Sequence, residues 1–189
     1  MRNVSNFDNI KKGRNESGDA YRLKVLLCKL GKHLGFEVDV EEEQESELGK
    51  LAIRHDVLWY TRTPKWFKDL LKETLSRNDL DEDYKQLLET KIGLERCLYA
   101  AFEIEATDTT TKAMKGDISN LSKLPYGIIV VKRGAAEVHS GDEKGRKLKP
   151  IRNRFEKALL EFRKLHGPNN VIVVSFSDIE RLCKLYNLE

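Results

Sequence analysis

Cysteine is scarce in this chain of 189 residues. The three that occur, Cys28, Cys97 and Cys183, are far apart, and none belongs to a CxxC or Cys/His cluster. That excludes a disulfide framework and argues against structural zinc. Each sits in an apolar, helix-like context, so buried reduced thiols are expected. The four histidines (His33, His55, His139, His166) are equally scattered. Long apolar runs are missing too. LYAAF, YGIIVV and VIVVSF fall far short of the roughly 20 residues that a membrane span needs. The opening MRNVSNFDNIKKGRN has neither an apolar core nor a small-residue cleavage site, so no secretory signal is read there and the cytoplasm is the expected location. The glycines form no phosphate-binding loop and no dinucleotide fingerprint, which gives no support to a nucleotide cofactor. Serine, histidine and aspartate are present without a nucleophile elbow.

What is there is a charge-rich globular composition, 40% hydrophobic and 34% charged, of a length that suits one domain over 1–189. Net charge is only +3, but it is unevenly spread. Glu37 to Glu47 holds seven acids and no base. Lys112 to Lys164 holds fourteen Lys and Arg against six Asp and Glu, a local net of +8. Such asymmetry suggests a basic face for an anionic partner such as nucleic acid, although basic stretches are often only solvated surface.

Hydrophobic periodicity predicts the elements. Residues 1–13 read as flexible. Ala20, Leu23, Leu27, Leu30 and Leu34 form a buried stripe on a helix from Asn15 to Leu34, ended by Gly35. FEVDVEEE and LAIRHDVLWY read as strands. KWFKDLLKETL and YKQLLETKIGLERCLY read as helices, which makes 64–99 a helical insertion between strands. AAFEIEA is the next strand, followed by a helix from Lys112 to Leu124. YGIIVVK and VIVVSF read as fully covered strands, separated by a helix over 151–166. SDIERLCKLYNLE closes the chain as a helix with Ser177 as its N-cap. An antiparallel first half and a parallel βαβ second half predict an α/β fold, a mixed central sheet with helices on both faces.

Chemistry concentrates on AAFEIEA. Alternate side chains of a strand share a face, so Glu103 and Glu105 point the same way while Phe102 and Ile104 point into the core. Two carboxylates so placed repel each other unless something positive lies between them, and Mg²⁺ takes such hard oxygen ligands. Asp56, mid-strand in IRHDVLWY, is positioned to supply a further ligand if that strand is adjacent. The competing reading is a sheet with one wet face, its glutamates solvated and Asp56 paired with Arg54 or Arg62. Glu16 falls on the inward stripe of the first helix, where a first-turn acid also suits the helix dipole. Lys112 and Lys115 share a polar helix face with Ser119 and Ser122. They are candidates to polarise a phosphate.

Taken together, these pieces resemble the PD-(D/E)xK nuclease superfamily, the fold of many restriction endonucleases and of archaeal Holliday-junction resolvases. GRNESGDAYRLKVLLCKLGKHLGFEV looks like its leading helix with Glu16 as the acid. RHDVLWY looks like the strand bearing the motif aspartate, Asp56, and Glu103-Ile104-Glu105 looks like the (D/E)-x-K strand, over roughly residues 13–131. Glu105 stands where the family has lysine. This E-x-E form is similar to that of some restriction enzymes, and a migrated lysine would be Lys112 or Lys115. The resemblance implies a restriction-endonuclease-like fold and metal-dependent hydrolysis of DNA phosphodiester bonds, of a restriction or defence type. Asp56, Glu103 and Glu105 would hold Mg²⁺, with Mn²⁺ as a substitute. Basic residues Arg54, Lys144, Arg146, Lys147, Lys149, Arg152 and Arg154 would contact the DNA backbone. Double-stranded DNA, cut by a homodimer, is the expected substrate, with RNA left open. The alternative is a non-catalytic DNA-binding or assembly module that keeps the nuclease fold.

Overall fold

The computed structural model describes residues 2–3, 7, 10–13, 16–40, 55–106, 111–132 and 151–188. Its order is β1 (Arg2–Asn3), α1 (Gly18–His33), β2 (Glu37–Val40), β3 (Val57–Arg62), α2 (Lys65–Leu75), α3 (Glu82–Gly93), β4 (Arg96–Glu105), α4 (Thr111–Leu121), β5 (Tyr126–Val131), α5 (Ile151–His166), β6 (Val171–Ser175) and α6 (Phe176–Leu185). The six strands lie side by side in chain order. Pairing is antiparallel from β1 to β4, then parallel from β4 through β6. The expected mixed sheet is therefore present. β4 joins its two halves.

Strand alternation sorts the core into two layers. On one face, Val38, Val57, Trp59, Ala100 and Phe102 pack with Leu23, Leu27 and Leu30 of α1 and with Ile179 and Cys183 of α6. On the other, Leu58, Ala101, Ile129 and Val131 pack with Met114, Ile118 and Leu121 of α4 and with Phe155 of α5. Crossover helices α4 and α5 thus lie over the same face, and α1 and α6 cover the other. No described helix is long and apolar enough to cross a membrane.

Two glycines fix the seat of α1. Gly35 takes φ +85°, and the N–H groups of Phe36 and Gly35 bond back to the carbonyls of Gly31 (2.9 Å) and Lys32 (3.0 Å). That is a Schellman ending, which reverses the chain into β2. Gly31 lets the helix approach the sheet. A Cβ there would stand 2.6 Å from the Trp59 indole nitrogen and 2.8 Å from a Val38 methyl. The same indole donates to the Leu27 carbonyl at 3.2 Å, locking helix to sheet.

The structure revises several boundaries. Of the N-terminal residues that are described, Arg2 and Asn3 pair with β2, Ile10 is buried, and the Tyr21 hydroxyl donates to the Ile10 carbonyl. The insertion is shorter than 64–99, because α3 ends at Gly93 and residues 96–99 extend β4. Arg96, Cys97 and Tyr99 are partly exposed or exposed in that stretch, so its apolar residues mimic a helical stripe. The last helix begins two residues earlier than expected. Its N-cap is Ser175, not Ser177, in a reciprocal capping box with Asp178. Cys28 and Cys183 are buried free thiols, as expected, and burial pushes Cys28 up to about 12. Cys97 is only half-buried.

Gly31→Ala is expected to destabilise the fold by about 1–3 kcal/mol, the usual cost of forcing extra volume into a packed site. Urea unfolding followed by tryptophan fluorescence measures it, and an unchanged midpoint would remove the close-approach argument.

Candidate carboxylate site

The carboxyl ends of β4 and β5, the start of β3 and the beginning of α1 meet at one end of the sheet. Residue Val57 pairs with Phe102, and Glu105 pairs with Val131. The main-chain N–H of Lys132 also donates to the Glu105 carbonyl at 3.0 Å, and its ammonium pairs with Asp19 of α1. The end of β5 is thereby tied to α1.

Asp56 is not mid-strand. It lies in a bend one residue before β3, and its Oδ2 accepts the N–H of Ile104 at 2.7 Å. This bond sets Asp56 directly beside the Glu103-Ile104-Glu105 segment. Burial raises the Asp56 carboxyl above its ordinary range, and the Ile104 N–H and the charge of Lys24 counter that rise in part. Phe102 and Ile104 pack into the α1-side core, as alternation requires. Glu103 and Glu105 therefore share the α4 side. The Glu103 Oε1 lies 2.6 Å from Nδ1 of His55, which is buried.

Glu105 is the most perturbed carboxylate of the group. Burial, then the charges of Asp117, Glu103 and Asp56, push it up to about 8. Asp117, on α4, is raised by burial and by Asp56, against a lowering by His55. Its Oδ2 is buried and has no hydrogen-bond partner among the described residues. Asp117, Glu103 and Asp56 thus raise the proton affinity of Glu105, and Asp56 raises that of Asp117. An arrangement of hard oxygen donors in excess of nearby positive charge is chemically suited to a divalent cation. Among the described residues, however, no three His, Cys, Asp or Glu side chains already converge as a metal cage.

Glu16 is brought near, but in a different way from that expected. It precedes α1, whose N-cap is Ser17, and is not on the helical stripe. One carboxylate oxygen accepts the Gly13 N–H at 2.9 Å and the other pairs with Lys24 at 2.6 Å. Both side chains are close to fully buried, and this pair borders Asp56. Lys112 and Lys115 are exposed on α4 and make no ion pair with a described residue. Arg54, Lys144, Arg146, Lys147 and Lys149 lie outside the described residues, as does the Arg152 side chain. Arg154 is half-buried on α5.

Sequence reasoning missed His55, Lys24 and Asp117. His55 had a signal, being adjacent to Asp56. Asp117 also had one, since a lone acid at helical spacing among Met114, Ile118 and Leu121 is placed towards the sheet. Lys24 had none, because a lysine on an amphipathic helix is read as solvated. No protein-family model matches this chain, and no curated protein or solved structure matches it either.

The raised Glu105 pKa makes stability pH-dependent. Between 4.5 and about 8 the folded chain holds a proton that the unfolded chain has released. The stabilisation is complete below about pH 4.5 and is lost as pH rises through about 8. Melting temperature without divalent cations should therefore fall from mildly acidic to mildly alkaline pH, and Glu105→Gln should flatten that fall. Parallel pH profiles for the two proteins would refute the assignment.

Proposed function

We propose that the chain is a metal-dependent DNA endonuclease of the PD-(D/E)xK, restriction-endonuclease-like type, with an E-x-E form of the motif. The observation that carries this reading is the gathering of Asp56, Glu103 and Glu105 at the carboxyl end of β4, with Asp56 bonded to the Ile104 N–H. The antiparallel β2-β3-β4 meander, followed by α4 and parallel β5, supports it further. That is the order of elements which the resemblance calls for, with the aspartate immediately before the second strand of the meander and the glutamates on the third.

Asp56 and Glu103 would hold Mg²⁺, or Mn²⁺ in its place, with the Ile104 carbonyl as a further oxygen donor. When bound, the ion lowers the pKa of a coordinated water and neutralises charge developing on the phosphoryl oxygens. His55 fixes the orientation of Glu103 through Nδ1. Glu105 would act as general base for the attacking water: its pKa of about 8 in the absence of a cation is one that nearby positive charge lowers towards neutrality. Lys24, held by Glu16, supplies positive charge beside Asp56. Lys112 and Lys115 at the start of α4 are free to meet the scissile phosphate. Cutting both strands of a duplex calls for a two-fold homodimer.

A second reading, a DNA-binding module without catalysis, draws on two observations. Glu105 occupies the motif lysine position, and no ready-made three-ligand metal cage exists among the described residues. Supercoiled plasmid incubated with Mg²⁺ or Mn²⁺ separates the two. The wild-type chain should nick or linearise it, and Glu103→Ala should lower the rate by at least about a hundredfold, as loss of a main electrostatic contributor does. Metal-dependent cutting that survives in the variant would refute this site. Plasmid binding without any cutting would establish the second reading.

A further inference from the structure

The helical insertion lies at the other end of the same strands. Counted along β3, it is roughly 17 Å from the carboxylate cluster at about 3.4 Å per residue. A cleft of about 770 Å³ opens at its base, where β3 runs into α2 and α3 returns to β4. Its charged lining is Arg62, Lys65, Lys68 and Arg96 against Glu37 and Glu95. Arg96 is committed elsewhere. It forms a two-pronged pair with the fully buried Asp39 at 3.0 and 2.6 Å, and its guanidinium lies 4.0 Å from the centre of the Tyr60 ring. Among the described residues Arg62 pairs only with Glu37, at 3.7 Å, and its side chain is 89% exposed. Lys65, exposed, and Lys68, half-buried, make no ion pair with any described residue.

Two of these cations are placed against local electrostatics. The first turn of α2 contains no acid, and the N-cap, Pro64, offers no side-chain acceptor. Helix starts favour acids, and lysine there opposes the dipole. A local rule broken without a compensating contact among the described residues points to a partner beyond them. The next side chain, Trp66, is 67% exposed, supported edge-on by Phe67. Exposed cations with an open aromatic side chain next to them in sequence are what a nucleic-acid strand engages, with phosphates on the charges and a base or sugar on the ring.

We infer that the cleft between β3, α2 and α3 is a nucleic-acid backbone site in which Arg62, Lys65 and Lys68 contact phosphates and Trp66 borders the strand. The inference rests on the nuclease reading for the choice of nucleic acid as ligand, and it gives the insertion a role apart from the carboxylates. At about 3.4 Å per nucleotide, a strand reaching from the cluster to the cleft spans about five nucleotides.

The test is the anisotropy of a fluorescent DNA duplex titrated with the full chain over a series of KCl concentrations, without divalent cations. The wild type, Lys65→Gln/Lys68→Gln, Arg62→Gln and Glu103→Ala are compared, with circular dichroism as the check on folding. The double variant should bind about tenfold more weakly, and the slope of log affinity against log salt should shrink by about two, one for each phosphate no longer neutralised. Arg62→Gln should reduce the slope by about one. Glu103→Ala should bind no more weakly than wild type. In cutting assays, the double variant should need more DNA for half-maximal rate while keeping the rate at saturation. Unchanged affinity and slope in folded variants would overturn the cleft and leave the nuclease reading intact. A wild-type chain that binds no duplex would overturn both.

Discussion

Everything in this fold depends on the double pairing of β4. The strand is antiparallel to β3 on one side and parallel to β5 on the other, and its alternation is fixed by Ala100 and Phe102 facing α1 while Ala101 faces α4. A slip of one residue would exchange those faces. Phe102 would leave the α1 core, and Glu103 and Glu105 would enter it. Hydrophobic burial of Phe102 therefore determines where the carboxylates lie. The Asp56 bond to the Ile104 N–H closes the same register at the strand's end. The packing of the core and the placement of the acids are one problem with one solution.

Acids of this sheet are treated in two ways. Asp39 is fully buried and receives both prongs of Arg96, an arrangement that satisfies the charge completely and asks for nothing further. Among the described residues Glu105 and Asp117 receive no such partner, and Asp56 has the Ile104 N–H with the charge of Lys24 beside it. Within one sheet, then, one acid is neutralised inside the fold while others have raised proton affinity, the kind of perturbation that functional sites and structural networks both produce.

Much of this was legible in the sequence, and the reasons are particular. The periods of α1 and α5 are strong because each buries one clear stripe, and β5 is largely covered on both faces; β6, expected to be fully covered, is instead an edge strand whose Ile172 is 53% exposed. The change from antiparallel to parallel pairing follows from the helices lying between the later strands. The shared face of Glu103 and Glu105 needs nothing beyond the two-residue period. By contrast, the start of β4 reads as helix because Leu94, Cys97 and Leu98 fall at helical spacing, and only pairing with β3 overrides it. Asp39 looks like one more acid of an exposed run, since Arg96 is 57 residues away. The Lys24–Glu16 pair is equally hidden. Burial of a lysine depends on how far a helix sinks towards a sheet, and Gly31 sets that depth through a contact with Trp59 that no local pattern encodes.

The packing of α6 on α1 joins distant parts of the chain. Cys183 lies against the Leu26 carbonyl across 157 residues of sequence, and Ile179 and Cys183 complete the core that α1 begins. On a ribosome, α1 emerges early, and its apolar stripe stays uncovered on that side until α6 has left the exit tunnel. The antiparallel meander can form during synthesis, but the layer over it closes only once α6 has emerged. A chain built this way has its greatest need of chaperone protection in the interval between the two helices, and a truncation that removes α6 would strip a wall from the core and not merely shorten a tail.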